Sequence, residues 1–537
     1  MTSLWLSSPP EIGSDPFTEG QHYDEVVVGA GLTGLVTALL FARAGRRVAV
    51  LESRHVGAVA TGNTTAKLSL LQGSQLQQIK KHTYQSITQA YVDSNRAAQQ
   101  WMLDYTSARG VAVQLRDAIS YAGTPDGTET VEREYRVARS VGLDVRLRDE
   151  LDLPFPMFGA VVLPEQAQFD PMHVLAALAA DVRELGGVIV EGARVTGVRA
   201  SGGAGSPSRN AGSPSRNAGS PSRNTGSPPR DAATVFTTRG EVYGGHVHLT
   251  TGTPILDRGL YFAKLKPLRS YATSYSVPGE LPQGMYLSVD EPSRSLRTAP
   301  TGDGRHGNEE LLVGGNGHVV GRDPSTKQNV DDLREWTETF FPGARLTHSW
   351  SAQDYETPHR VPFVGYLPRG RGRIYLATGY GKWGMTNAVA AALTLASDIM
   401  GDSPDWAKAL HHRATLPAAI GSGLGAGAAV GWWAAKGWAG ALFGPRVDAL
   451  PTPGDGEGLI GRVATGEGLL GGAAVHPVGV STVAGSTCAV SAVCPHLGGV
   501  LSWNGAEHSW DCPLHGSRFS ATGTLLEGPA THDLSPR

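Results

Sequence analysis

The feature that most constrains the fold is a glycine-rich turn between two short apolar stretches near the N-terminus. Residues 25–31 read EVVVGAG, and LTGLVTALLFARAG follows with helical spacing of its apolar residues up to Gly45. The next stretch, RRVAVLES, is again apolar and contains Glu52 just after its apolar run. Apolar runs of this length indicate buried strands, and the intervening periodicity indicates a helix. Strand, helix and strand within about 30 residues predict an α/β domain with a parallel sheet.

The turn also carries a ligand signal. Gly29, Gly31 and Gly34 fit the pattern G-x-G-x-x-G, which on its own is equally a plain glycine-rich turn. Here the pattern follows a strand, opens a helix and precedes the acidic Glu52 at the end of the next strand. Such glycines let the backbone approach a pyrophosphate at the positive end of the helix. The sequence therefore predicts a dinucleotide site in which Glu52 accepts hydrogen bonds from the ribose hydroxyls.

Composition excludes several classes of protein. The 537 residues allow two or three domains, and a formal net charge of −3 offers no basic field for nucleic acid. Three cysteines cannot build a disulfide framework, so a reducing compartment is expected. The first residues, MTSLWLSSPPEIGSDPF, lack the basic and apolar regions of a secretory signal. We therefore expect a cytoplasmic protein.

Two biased segments interrupt the globular pattern. Residues 204–231 are four tandem copies of a seven-residue unit, such as AGSPSRN, without an apolar side chain larger than alanine. Such a segment cannot offset its ordering entropy by burial, so we expect a disordered insertion between two strands, with a basic arm as the alternative. Residues 416–445 are rich in glycine and alanine and include Lys436. A spanning helix needs about 20 strongly apolar residues, so an interdomain connector is favoured over a membrane contact.

The C-terminal part contains a candidate metal site. Cys494 and His496 are separated by fifteen residues from Cys512 and His515, within a region of short strands between glycines. Two sulfur and two nitrogen ligands suit a tetrahedral zinc ion. The same four ligands suit a [2Fe–2S] cluster with two cysteines on one iron and two histidines on the other.

Two further stretches carry a family resemblance. SRHVGAVATGNTTAKLSLLQG after Glu52 and IYLATGYGKWGMTNAVAAALTLASDI near residue 380 resemble the D-amino-acid-oxidase-like (glycine oxidase) superfamily of FAD oxidoreductases, over roughly residues 23–400. The resemblance implies FAD, a Rossmann-like domain with an interleaved β-sheet substrate domain, and a late loop and helix that return to the flavin. It further implies that the flavin is contacted by Arg54, Thr64, Thr65, Ala66, Val195, Gly252, Gly379, Gly381, Gly384, Met385 and Thr386.

The metal site has its own resemblance. CPHLGG and CPLHGSRF resemble the two cluster-binding loops of Rieske domains, from about residue 450 to 537. The resemblance implies a small all-β domain whose [2Fe–2S] cluster is held by Cys494, His496, Cys512 and His515. The expected domain order is a tail over 1–22, the FAD domain over 23–415, the connector over 416–445 and the Rieske domain over 446–537. This order resembles a bacterial family of FAD-dependent oxidoreductases with a Rieske tail.

Function remains open between two classes. One is an enzyme that oxidises a small molecule, such as an amine or amino acid, and passes electrons singly through the cluster. The other is an electron-transfer or redox-sensing module that exchanges electrons with protein partners. The resemblance implies that amine oxidation needs no obligatory side-chain base, because the flavin of this superfamily takes hydride from the neutral amine, so no catalytic acid or base is predicted. The substrate candidates, led by Lys382 in the late loop, are Lys382, Arg269, Tyr271, Tyr286, Arg297, Tyr355, His359 and Trp383.

We predict a reduction potential well below that of respiratory Rieske proteins. The resemblance implies a second cysteine in each loop of the respiratory type, where this chain has Gly499 and Leu514, and a tyrosine where it has Phe519. Ser517 remains as a donor to sulfur, but the tyrosine hydroxyl is missing, and fewer hydrogen bonds to sulfur lower the potential. Cyclic voltammetry measures it, and a value in the respiratory range would contradict this prediction.

Overall fold

The computed structural model describes residues 1–200, 231–300, 309–412, 417–467 and 473–537. Apart from Asp231, the predicted repeat insertion over 204–231 lies outside these ranges. Helices and strands are numbered in chain order below.

The first sheet is built on the predicted strand–helix–strand unit. Strand β1 pairs in parallel with β2 and β10, β2 pairs in parallel with β7, and β10 pairs in parallel with β17. This parallel core confirms the α/β prediction. The eight strands of this sheet are β1 (His22–Val28), β2 (Val48–Leu51), β7 (Val188–Val190), β8 (Val195–Ala200), β9 (Ala233–Thr237), β10 (Gly240–Leu249), β16 (Phe363–Tyr366) and β17 (Ile374–Thr378).

A second, mostly antiparallel sheet forms the other half of the N-terminal domain, as the resemblance implied. Its long strands β11, β14 and β15 lie side by side at one end, with β11 in the middle. The nine strands are β3 (Lys67–Leu68), β4 (Val113–Tyr121), β5 (Arg146–Arg148), β6 (Ala160–Phe169), β11 (Lys266–Ser276), β12 (Met285–Ser288), β13 (Arg294–Pro300), β14 (Glu309–Val319) and β15 (Arg345–Glu356).

Helices cover the parallel sheet and link the domains. Leu35, Leu39, Val389 and Leu178 contribute to one buried cluster from three different helices, which packs the first helix of the dinucleotide motif against the late helix. The helices are α1 (Leu4–Ser7), α2 (Leu32–Arg43), α3 (Gln75–His82), α4 (Gln85–Arg109), α5 (Thr128–Ser140), α6 (Pro171–Glu184), α7 (Tyr261–Lys264), α8 (Thr326–Phe340), α9 (Gly384–Met400), α10 (Asp405–His411) and α11 (Pro417–Phe443).

The C-terminal region is a small all-β domain with two sheets. Trp510 and Phe519 are fully buried at its centre, together with Cys494 and Cys512. The third cysteine, Cys488, lies on β20 and is half-exposed. The strands are β18 (Gly458–Glu467), β19 (Ala473–Val483) and β20 (Ser486–Ser491) in one sheet, and β21 (Ser502–Asn504), β22 (Ser509–Asp511), β23 (Arg518–Ser520) and β24 (Leu525–Glu527) in the other.

The segment expected to be a connector contains the long helix α11. Its small residues allow close packing on the C-terminal domain, because a Cβ atom at Gly437 would lie 3.1 Å from Val500 Cβ. Trp438 Nε1 donates to the carbonyl of Gly498 at 3.0 Å, next to the first ligand loop. Within the described ranges, no helix combines the length and apolarity needed to cross a membrane.

The N-terminal residues, expected to be a tail, pack onto the FAD domain. Trp5 is 3% exposed, and its indole nitrogen donates to the carbonyl of Thr64 at 2.6 Å. Further along, the Arg183 guanidinium pairs with Asp15 at 2.8 Å. The first 22 residues therefore belong structurally to the N-terminal domain.

A cluster of buried charges joins the two domains. Arg269 of β11 donates to Glu507 at 2.5 Å and to Glu527 at 2.7 Å, and both carboxylates belong to the C-terminal domain. Arg518 donates to the same two carboxylates at 2.7 Å. The Arg269 side chain is 3% exposed, so this cluster, which we call the interdomain charge cluster, is shielded from water. Breaking such a pair by removing one partner is costly, because it leaves a buried charge uncompensated.

We predict that domain docking weakens in acid. Burial opposes ionisation of Glu507 and Glu527, but Arg269 and Arg518 outweigh it, so the pKa of each carboxyl is lowered. A carboxyl with a lowered folded-state pKa contributes stability above its unfolded pKa, about 4.3, and loses it as the pH falls further. Thermal unfolding should therefore shift to lower temperature below about pH 4.

The matched variants are Glu507→Gln and Glu132→Gln. The first should lower the free energy of unfolding by about 3 kcal/mol at pH 7, and its unfolding temperature should depend less on pH in acid. The second removes an exposed partner of Arg136 and should change the unfolding free energy by less than about 0.5 kcal/mol. Equal pH profiles for wild type and Glu507→Gln would contradict the prediction.

Candidate functional site

A cavity of about 380 Å³ is lined by residues from both the parallel sheet and the second sheet. Predicted cofactor residues line both ends of it. The end expected to hold the nucleotide, which we call the nucleotide end, is lined by Gly29, Gly31, Glu52, Val195 and Gly252. The end expected to hold the flavin, which we call the flavin end, is lined by Thr64, Thr65, Gly381, Gly384 and Met385.

Local geometry explains the residues at the nucleotide end. Glu52 is 8% exposed, and its carboxylate accepts hydrogen bonds from the backbone N–H groups of Ala30 and Arg54, both at 2.9 Å. These bonds fix the acid against the glycine turn. Gly29 has φ of +106°, which only glycine adopts without strain. At Gly34, a Cβ atom would collide with the carbonyl oxygen of Gly29, so the third glycine permits the close packing of α2 on β1.

At the flavin end, helix α9 presents its N-terminus to the cavity. The helix begins at Gly384. Its first residues, Gly384 and Met385, line the cavity. Unpaired N–H groups at a helix N-terminus favour negative charge, which suits the N1/C2=O side of a reduced flavin.

Five predicted cofactor residues lie behind the cavity wall or at its margin. Gly379 packs against Thr357, and the Thr386 hydroxyl accepts from Gln72 at 3.2 Å. None of the five is among the residues that line the cavity. The five residues are Gly34, Arg54, Ala66, Gly379 and Thr386.

Some of the predicted substrate residues line the cavity, and others do not. Tyr271, Tyr355, Lys382 and Trp383 line the cavity. Arg269 was predicted to be a substrate residue, and the structure contradicts this, because its guanidinium is held by carboxylates of the C-terminal domain.

Three other candidates do not face the cavity. Arg297 is 1% exposed and donates to the carbonyls of Thr65 and Ala66 at 2.8 and 2.9 Å. It therefore supports the loop of residues 64–66, which we call the flavin loop. The Tyr286 ring packs in a separate apolar cluster, and His359 is buried beside Thr357.

The sequence analysis missed Lys67, which lines the cavity and is 8% exposed. Its ammonium donates to the carbonyl of Tyr286 at 2.6 Å and to the Ser295 hydroxyl at 2.7 Å. Burial lowers the pKa of Lys67 well below its ordinary value, and Arg297 adds to the effect. A lysine that directly follows the flavin-loop residues Thr64, Thr65 and Ala66 was the available signal.

The four predicted metal ligands come together in the C-terminal domain. The thiols of Cys494 and Cys512 are within hydrogen-bond reach of each other, and both residues are buried. The rings of His496 and His515 are edge-to-face, with centroids 5.2 Å apart. His515 Nε2 is buried and has no hydrogen-bond partner in the part of the chain that the structure describes.

The arrangement fits a two-iron cluster. Two cysteines form one pair and two histidines form another, as a [2Fe–2S] centre with one pair per iron requires. A single zinc ion needs its ligands to converge on one point. Among the described residues, no three His, Cys, Asp or Glu side chains form such a group. The positions where the respiratory type has extra cysteines are also adjacent, since a Cβ atom at Gly499 would lie 2.7 Å from Leu514 Cδ1.

The histidine edge of this site faces the N-terminal domain. His496 Nε2 lies 3.0 Å from Asp257 Oδ1, and the His496 side chain is 7% exposed. The Phe262 ring of α7 contacts both histidines edge-to-face, with centroid distances of 6.0 Å to His496 and 5.1 Å to His515. The segment 257–262 therefore covers the two imidazoles.

We predict that Gly499→Ala impairs iron binding. The new methyl group would lie 3.0 Å from Cys512 Sγ and against Leu514, and overpacking of this kind costs about 1–3 kcal/mol. Adding Leu514→Ala should make room and restore the iron. Gly505→Ala is the control, because a Cβ atom there has no neighbour within 4 Å. Iron and acid-labile sulfide per chain give the readout, and full iron in Gly499→Ala would contradict the prediction.

Structural comparison relates the N-terminal part to solved amino acid oxidoreductases. Glycine oxidase from Geobacillus kaustophilus superposes with a TM-score of 0.56 at 18% identity, covering 72% of this chain and 96% of that one. L-proline dehydrogenase from P. horikoshii superposes with a TM-score of 0.54 at 15% identity, covering 72% and 96%. L-amino acid deaminase from Proteus vulgaris reaches 0.54 at 15% identity, covering 73% and 94%. At these identities the likeness shows the shared fold.

Sequence comparison covers both domains. A Bacillus subtilis protein named as a Rieske 2Fe-2S iron-sulfur protein, YhfW, is 27% identical over 99% of this chain and 96% of its own length. Iron-sulfur subunit 1 of the cytochrome b6-f complex from Nostoc is 50% identical over 46 residues, which is 26% of that subunit. Residues 471–536 match the Rieske [2Fe-2S] domain, and residues 24–397 match the FAD dependent oxidoreductase family (DAO). The chain therefore belongs to the DAO family of FAD dependent oxidoreductases and carries a C-terminal Rieske [2Fe-2S] domain.

Proposed function

We propose that this oxidoreductase oxidises a small amine or amino acid in the cavity and passes the electrons one at a time to its own Rieske domain. Bound FAD accepts an electron pair from a C–H bond, whereas a [2Fe–2S] cluster accepts single electrons. The observation that carries the proposal is the docking of both ligand loops on the FAD domain. In this reading the remaining electron acceptor is a separate protein, and the protein works in the cytoplasm, as its low number of cysteines predicts.

The contact between the second ligand loop and the cavity wall is direct. The carbonyl of Gly516, next to His515, accepts a hydrogen bond from Gln353 Nε2 at 2.7 Å. The same amide nitrogen lies 2.8 Å from the Tyr355 hydroxyl, and both Gln353 and Tyr355 line the cavity. A short path of packed and hydrogen-bonded groups therefore runs from the ligand loop to the cavity, which supports transfer within the chain.

The residues of the cavity favour a substrate that carries a carboxylate. Lys382 and Lys67 both line it; burial lowers the pKa of Lys67, whereas Lys382 is exposed. Lys67 uses two donors on Tyr286 and Ser295 in the described structure, and a protonated lysine has three. A bound anion would supply the missing counter-charge. Glycine, L-proline and L-amino acids are named for the three structural neighbours, which supports an amino acid as the substrate class.

The alternative is an electron-transfer module that only exchanges electrons with protein partners. The buried Lys67 of the cavity wall would have no role in such a module, which favours the enzyme.

An anaerobic screen of amino acids and amines tests the proposal. A true substrate should bleach the flavin band near about 450 nm first and then reduce the cluster, followed by its own absorption and electron paramagnetic resonance. Flavin that responds only to a reduced protein would contradict the enzyme and support the module.

We predict that Lys382→Met raises KM for the identified substrate by about tenfold or more, because a hydrogen bond to a charged group contributes about 1.5–3 kcal/mol. Lys327→Met, an exposed lysine on α8, is the control and should leave KM unchanged. An unchanged KM in Lys382→Met would remove this residue from the substrate site.

A further inference from the structure

Part of the FAD cavity wall belongs to the Rieske domain. Leu526, Glu527, Gly528 and Ala530 line the same cavity as the dinucleotide motif. They come from β24 and the residues that follow it, near the C-terminus of the chain. The flavin site is therefore not completed by the FAD domain alone.

Two arginines attach this wall to the nucleotide end. Arg54 Nη1 donates to the carbonyl of Leu526 at 3.3 Å, and Arg194 Nη2 donates to the carbonyl of Leu525 at 3.0 Å. Arg54 follows the ribose-binding candidate Glu52 closely in sequence, and Arg194 directly precedes Val195. Both bonds therefore lie beside the residues expected to hold the adenosine.

Glu527 links the wall to the interdomain charge cluster. The two residues before it accept hydrogen bonds from Arg54 and Arg194 through their backbone carbonyls. The Glu527 carboxylate itself accepts hydrogen bonds from Arg269 and Arg518, both at 2.7 Å. The Glu527 side chain is 9% exposed. Opening this part of the cavity would therefore separate buried opposite charges, which is strongly unfavourable.

We propose that the Rieske domain is a structural part of the FAD site and that it closes the cavity over the bound dinucleotide. FAD then enters before the domain docks and leaves only when the domain undocks. Retention of the flavin depends on the interdomain charge cluster, although none of its arginines is predicted to bind the dinucleotide. The Rieske domain thus has a cofactor-holding role in addition to its cluster.

The test measures FAD release from the oxidised holoprotein, with no substrate present. Release is followed by the rise of flavin fluorescence after dilution, and cluster integrity by iron content and visible circular dichroism. Arg269→Met removes the charge that binds both carboxylates and should speed release by about tenfold or more. Arg109→Met breaks an ion pair with Asp181 inside the FAD domain, away from the interface, and should release FAD at the wild-type rate.

A second variant keeps the proposal decidable if Arg269→Met does not fold. Leu526→Ala removes a side chain that lines the cavity but keeps the backbone carbonyl that binds Arg54. It should weaken FAD binding several-fold with full iron content. Wild-type release in an iron-loaded Arg269→Met protein, or wild-type FAD affinity in Leu526→Ala, would overturn the proposal. Because no substrate is used, failure here leaves the proposed oxidation of an amino acid untouched, and failure of that oxidation leaves this result standing.

Discussion

The arrangement of the two domains depends on a cluster of buried charges. Arg269 comes from the FAD domain, and Glu507, Arg518 and Glu527 come from the Rieske domain. Burying a charge costs desolvation free energy, and the attraction within a buried pair offsets that cost only with good geometry and complete hydrogen bonding. A displaced docking geometry would leave at least one of these charges unpaired. The cluster therefore acts mainly by excluding other arrangements, and it fixes the Rieske loops against the cavity wall.

The sequence predicts well what is encoded locally. The strand, glycine turn and helix around Gly29 and Gly34 lie within one short segment, so spacing and composition were enough to identify them. The ligand loops were equally recognisable, because each holds its cysteine and histidine within a few residues. The family models confirm both domains. The individual ligand and flavin contacts remain predictions that the geometry supports.

Contacts between residues far apart in the sequence could not be predicted from the sequence. Arg269 was assigned to substrate because an arginine suits a carboxylate, and its partner Glu507 lies 238 residues later in the chain. Lys67 was missed for the same reason, because its hydrogen-bonding partner Ser295 lies 228 residues away in the sequence. Packing of Trp5 on the flavin loop was missed for the opposite reason, since the apolar run Leu4–Leu6 is too short to give a periodic signal. Residue type indicated the chemistry in each case, but the fold selected the partner.

Helix α11 has a consequence for kinetics. It joins the FAD domain to the Rieske domain and packs against the first ligand loop through Trp438. A tethered partner returns at an effective concentration set by the linker, in the millimolar range for short tethers. If the interface opens, reassociation is therefore unimolecular and does not depend on how much protein is present. A stiff helical tether further restricts the orientations sampled, so the separated state should be short-lived even in dilute solution.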